Sequence, residues 1–156
     1  IGSEFHNKIT MVLYNDKLAK MILWSGYHTI TIGPFIFTTK KTGEMNDVII
    51  NHEKIHVTQW CEVTALSVLI WGLFLMIALD FRYHWTLPLC FVVYYIIYVA
   101  EYAISRLYGG ETGNQDYRHI EFEKEAYKHQ KDMYYLSHRK PFAWLFKWRK
   151  IRQNIN

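Results

Sequence analysis

Asn51-His52-Glu53-Lys54-Ile55-His56-Val57-Thr58-Gln59-Trp60, NHEKIHVTQW, is the stretch on which the reading of this chain turns. Between Gly43 and Gly72 there is no Pro or Gly, so VIINHEKIHVTQWCEV reads as a helix that Asn46 or Asp47 can cap. On a helix, residues four apart share a face, so His52 and His56 present two imidazoles to one point. Glu53 lies beside them. Two neutral nitrogen ligands, with a carboxylate placed to take a proton from a metal-activated water, is the physical logic of HExxH. Zinc in such a site needs a third protein ligand and keeps one position open.

Working outward, the helix continues into an apolar run. Val63 to Leu79 is 17 residues without a charge. At about 1.5 Å per residue it spans roughly 25 Å, a little short of a typical hydrocarbon core. The link DFRYHW is short, so the next run, free of charge from Thr86 to Ala100 and helical in pattern to Leu107, returns antiparallel. Apolar helices over about 63–79 and 86–107 therefore make a transmembrane hairpin, with Trp60 and Trp85 as interfacial anchors. Of 18 Lys and Arg, only Arg82 falls in the link. The positive-inside bias then puts both termini and the HEKIH site on the cytoplasmic face.

Upstream, Ile9 to Lys41 reads as β: TMVLY, MILW and GYHTITIGPFIFTTK are rich in β-branched and aromatic residues. Asn15-Asp16 and Ser25-Gly26 supply turns, and Gly33-Pro34 marks an edge strand or a bulge. Downstream of Gly109-Gly110, a helix is expected around RHIEFEKEAYKHQKDMYYL. The tail PFAWLFKWRKIRQ interleaves Trp144, Phe146, Trp148 and Ile151 with Lys147, Arg149, Lys150 and Arg152, as an interfacial amphipathic segment does.

Composition bounds the class. Of 156 residues, 1–5 (IGSEF) read as a cloning remnant, and 6–156 as one membrane-anchored α+β domain: a small N-terminal sheet, the HExxH helix and hairpin, a Glu-bearing helix and the amphipathic tail. A net charge of +4 and a pI of about 9.0 call for an anionic partner. With 6 Trp, 12 Tyr and 9 Phe crowded around the apolar runs, that partner is a phospholipid bilayer rather than nucleic acid. Mean hydropathy of −0.10 keeps a soluble core pair of helices open as the alternative. Cys61 and Cys90 form no disulfide framework and read as small hydrophobes, and the N-terminal stretch has no signal-peptide apolar region.

The third ligand is open among Glu62, Glu101, Glu121, Glu123, Glu125 and His119. Glu62, six residues past His56, points elsewhere on the same helix. Glu101 lies near the returning end of the second apolar helix, within reach of the site. A carboxylate in such a segment is a functional suspect.

HEKIH followed by FEKEAY resembles the gluzincins, zinc metallopeptidases whose third ligand is a Glu on a later helix. The order of helical HExxH, two apolar helices and a Glu-bearing helix resembles their integral-membrane members. HExxHxxQ with YRHIEFEKEAY is also similar to a group of small bacterial membrane proteins. The resemblance covers roughly residues 46–140. It implies His52, His56 and Glu123 as Zn2+ ligands and Glu53 as general base and acid. Where the family carries Glu-x-x-Ala-Asp, this chain has Glu123-Lys124-Glu125-Ala126-Tyr127, so Tyr127 replaces an Asp that orients a ligand histidine. Gln59 and Glu62 are substitutes for that role, and His119 or Tyr117 for the oxyanion donor. The resemblance also implies that TITIGPFIF, with Thr31, Ile32 and Gly33, binds an extended peptide at a strand edge. Substrates would be peptides or membrane-protein segments. Two alternatives remain: a non-catalytic membrane protein with a structural or vestigial metal site, and a peripheral lipid-binding domain.

Overall fold

The computed structural model describes residues 10–14, 17–23, 28–77, 81–108 and 120–145. They are mostly helical with one small sheet, an α+β arrangement. The chain divides into two compact units, Ile1–Thr58 with Glu125–Asn156, and Gln59–Lys124.

The first unit holds the sheet. Strands β1 (Met11–Leu13), β2 (Thr29–Ile32) and β3 (Phe35–Thr38) lie in the order β1-β3-β2, with β1 parallel and β2 antiparallel to β3. Gly33-Pro34, expected to mark an edge or a bulge, is instead the two-residue turn of the β2–β3 hairpin. Gly33 has φ 59°, the positive value that the first turn position of a II′ hairpin requires, and proline suits the second. TITIGPFIF is therefore two strands. Its TITI half is an edge, pairing only with β3 among the described residues, and its FIF half is the central strand.

Lys17–Ile22 is a helix, α1, inside the stretch that a β reading spanned, and it takes in Met21 and Ile22 of MILW. Leu, Ala, Lys and Met are strong helix formers, and five of them in a row, Lys17 to Met21, outweigh the short apolar pattern. Its Ala19 is fully buried.

Helix α2 (Asp47–Ile77) carries HEKIH. Asn46 caps it: its side-chain Oδ1 accepts the Val48 N–H at 2.9 Å, and its carbonyl accepts from Ile49 and Ile50. In the first unit Ile55 packs with Ala126, Tyr135 and Leu136.

The second unit is a hairpin with the start of a further helix. After α2, residues Phe81–Val92 wind as a 3₁₀ helix that leads into α3 (Val93–Tyr108). The expected link DFRYHW is thus partly helical, and the second apolar segment is not α-helical from residue 86. Pro88 is the physical reason: it has no N–H to donate, and its ring clashes with the preceding turn of an α-helix. Winding at about 2.0 Å per residue also lets this segment reach farther than the same residues in an α-helix. Trp71 Nε1 donates to Thr86 Oγ1 at 2.7 Å, and Trp60 Nε1 to the Phe91 carbonyl at 3.0 Å, with its ring stacked on Phe91. Both indoles thus tie the hairpin together.

The helix around residues 118–136 is shorter than the sequence suggests. It comprises α4 (Glu121–His129), a turn, and the single-turn α5 (Tyr135–His138). Asn51 ends α4: its Nδ2 points at the carbonyls of His129, Gln130 and Asp132, at 3.4, 2.9 and 3.0 Å. Such carbonyls have no partner within a helix. Beyond, Glu125 is fully buried against Arg139 in a two-pronged ion pair, Nε to Oε1 at 2.6 Å and Nη2 to Oε2 at 3.2 Å. Its Oε1 also accepts the Tyr135 hydroxyl at 2.7 Å. The tail beyond Leu145 and the turns at Asn15-Asp16, Ser25-Gly26 and Gly109-Gly110 lie outside the described residues.

Two helical segments are long and apolar enough to cross a membrane, Asp47–Ile77 and Arg82–Leu107. Only 17% and 11% of their most apolar stretches are buried, so their apolar side chains point outward rather than into a core.

Candidate metal centre

The helical period brings His52 and His56 together as their spacing requires. Their Nε2 atoms lie 3.1 Å apart, with the rings edge to face. Both are buried, at 8% and 5% exposure. Glu123, on the first turn of α4, is 1% exposed, and one ligand atom from each of the three lies within 4.8 Å of the others. His52, His56 and Glu123 thus form a buried cluster that can hold a metal ion. Of the carboxylates that the sequence left open, Glu123 is the one so grouped among the described residues.

The donor set suits zinc. Ligands at about 2.0–2.1 Å in a tetrahedron stand roughly 3.3–3.4 Å apart, and the imidazole nitrogens are within a few tenths of that separation. Two nitrogens and one carboxylate oxygen also leave a tetrahedral position for water. The buried carboxylate supplies negative charge that would offset part of the ion's desolvation.

Glu53 is buried beside His52 and is held by the sheet. Thr31 Oγ1 donates to Glu53 Oε2 at 2.5 Å. The strand register explains this direction. Thr31 pairs with Ile36, which is fully buried, so both side chains lie on the inward face of the hairpin, whereas Ile32 and Phe35, the next pair, are exposed. Thr31, expected to meet substrate through its backbone, therefore also anchors the candidate base by its side chain. Ile32 ends the edge strand and Gly33 opens the turn.

The rings of Tyr127 and His52 meet edge to face, with centroids 4.8 Å apart. Tyr127, a departure from the pattern that the resemblance implies, thus touches one of the two grouped imidazoles. Gln59 is fully buried; its Nε2 donates to the carbonyl of Phe122, next to Glu123, and its Oε1 accepts from Tyr94 at 3.4 Å. It holds α4 by its backbone. Glu101 accepts the Glu121 N–H at 3.1 Å, capping the start of α4 from α3. Glu121 pairs with Lys124 at 2.6 Å, and Glu125 with Arg139. Glu62 is half-buried. His119 and Tyr117 lie outside the described residues.

Two residues that sequence reasoning missed position this centre. Tyr98 donates to Glu123 Oε1 at 2.8 Å, and Asn51, next to His52, holds the far end of α4. A signal for the first was available: Tyr94, Tyr98 and Glu101 recur at helical spacing inside an apolar segment and put three polar groups on one stripe. For Asn51 there was none, since an Asn inside a helix pattern carries no mark of a distant partner.

Comparison with protein-family models, with curated protein sequences and with solved structures finds no match to this chain.

Proposed function

We propose that the protein is a zinc-dependent peptidase of gluzincin type that works at a membrane surface, with its two apolar segments as a transmembrane hairpin. The observation that carries the reading is the buried group of two histidines four apart and a glutamate from another helix, next to a glutamate tied to an edge strand. The outward-facing apolar side chains of the two long segments support the membrane placement. Charge distribution favours both termini on the cytoplasmic side.

His52, His56 and Glu123 would hold the metal. Bound zinc supplies Lewis-acid chemistry, polarising a carbonyl and making water acidic enough to yield a proton near neutral pH. The remaining steps belong to the chain. Thr31 holds Glu53 by Oε2, which leaves Oε1 to accept the proton from the attacking water. As the water oxygen bonds to the peptide carbonyl carbon and the C–N bond breaks, Glu53 hands that proton to the departing nitrogen. The second proton of the water follows to the amine, so the products are a carboxylate and an ammonium group. Substrate would lie along β2, whose edge offers backbone N–H and C=O groups to an extended chain.

The first test is elemental analysis of protein purified in detergent without chelator. About one zinc per chain, lost in Glu123→Ala and retained in Glu53→Gln, is the expected result. No zinc in the wild type, or zinc indifferent to Glu123→Ala, sinks the metal assignment. With zinc established, digestion of a peptide library by wild type but not by Glu53→Gln supports hydrolysis; equal behaviour of the two leaves a structural metal site. Resistance of membrane-bound protein to high salt, with release only by detergent, is expected of the hairpin. Release by salt alone marks a peripheral protein.

A further inference from the structure

The third ligand of the centre is not held by its own helix alone. A stripe on α3 meets the first turn of α4 at several points. Glu101 caps the Glu121 N–H at 3.1 Å, and Tyr94 packs against Phe122, with ring centroids 4.7 Å apart. Tyr98 lies parallel to the Phe122 ring, at 6.5 Å and 7°, while its hydroxyl reaches Glu123 Oε1 at 2.8 Å. The ring contact fixes where the phenol stands, and the cap fixes where the ligand helix begins.

We infer that Tyr98 is a positioning residue for the metal ligand Glu123. By donating to Oε1 it turns the carboxylate so that Oε2 is the ligating oxygen, in a one-oxygen mode. The inference rests on the metal reading of His52, His56 and Glu123. A hydrogen-bond donor on the second oxygen of a ligating carboxylate restricts its rotation, and loss of such outer partners costs about 10–100-fold in metal affinity. The apolar hairpin would then be part of the metal site as well as an anchor. Tyr94, one turn away, also packs on Phe122 but its hydroxyl donates to Gln59 Oε1, which makes it the control.

The test is zinc affinity of the full-length protein in detergent, measured by competition with a chromophoric chelator. It compares wild type, Tyr98→Phe, Tyr94→Phe and Glu123→Ala, with circular dichroism to verify folding. Expected is a weakening of about tenfold in Tyr98→Phe, with a much smaller change in Tyr94→Phe and near-complete loss in Glu123→Ala. Cobalt substitution gives a second readout, because zinc is spectroscopically silent. The visible band of Co2+ should shift in Tyr98→Phe and stay in place in Tyr94→Phe. Unchanged zinc affinity and cobalt spectrum in Tyr98→Phe would overturn the inference while leaving the metal site standing. Equal loss in both tyrosine variants would overturn it too, since packing alone would then explain the effect. A wild type that binds no zinc removes the metal reading itself. Should Tyr98→Phe not fold, Tyr98→Met fills similar space without a donor and carries the same expectation.

Discussion

Helix α2 is continuous over 31 residues, yet its two halves treat polarity in opposite ways. From Asn51 to Thr64 its buried side chains include Asn51, His52, Glu53, His56, Thr58, Gln59 and Thr64. From Ala65 to Ile77 it exposes Leu66, Leu69, Ile70, Leu73, Phe74, Met76 and Ile77. No break in the backbone separates these regions, so the difference is one of surroundings. The first half is enclosed by protein that offers partners: Thr31 for Glu53, and the carbonyls at the end of α4 for Asn51. The second half presents an apolar surface of a kind that a water-soluble monomer seldom exposes as one band. One helix thus couples a polar buried site to an apolar outward surface, and each half can be tested against that description.

The largest effect is expected where a charge in the enclosed region loses its partner. Arg139→Met strands the buried Glu125, whose side chain is fully buried while that of Arg139 is 3% exposed. A destabilisation of about 3–5 kcal/mol is expected in denaturant titration of the detergent-solubilised protein. A change below about 1 kcal/mol would mean that water reaches this pair, and the contrast between the halves would weaken.

Next comes the outward half. Ile70 is 59% exposed near the middle of the apolar run. Ile70→Arg should oppose membrane insertion by about 3 kcal/mol, seen as a fall in the inserted fraction in a glycosylation-mapping assay. In a water-facing helix the same change would be near neutral, within about 0.5 kcal/mol. This is the sharpest way to break the comparison.

Smaller effects refine the enclosed half. Asn51→Ala removes the donor that satisfies the last carbonyls of α4, at a cost of about 1–3 kcal/mol. Faster amide exchange at Gln130 and Asp132 than in wild type is the local signature to look for. Asn46→Ala removes the cap at the start of α2 and should cost about 1 kcal/mol, visible as a modest fall in thermal midpoint. If Asn46→Ala proved the costlier of the two, the centre would depend more on where α2 starts than on how α4 is gripped.

Much of this was legible in the residues. The cap at Asn46, the shared face of His52 and His56 and the two apolar segments follow from helical period and from the absence of breakers. Those are local properties. The errors were also local in origin. A β reading of KLAKMI follows from the apolar pieces TMVLY before it and MILW, which shares its last two residues. Gly33-Pro34 was read as a flaw in one strand, when a glycine that accepts positive φ followed by proline is a hairpin turn. Pro88 went unweighed inside an apolar run, where it selects 3₁₀ winding. For α4, helix-favouring residues continue past His129, and the stop comes from Asn51, 78 positions earlier in the chain.

By itself, then, the sequence determined what a repeat of 3.6 residues and a count of charges can determine: a two-histidine face with a neighbouring carboxylate, and two segments apolar enough to leave water. Residue chemistry left several glutamates equal and a resemblance marked Glu123; only the tertiary structure could group Glu123 with the two histidines, bind Glu53 to Thr31, set Tyr98 on the Glu123 carboxylate and give Glu125 to Arg139. The last three of those pairings join residues 14 to 25 positions apart. Nothing in the local chain encodes them. They exist because packing has already fixed which helix face meets which, and burial then favours a partner for the polar groups on that face.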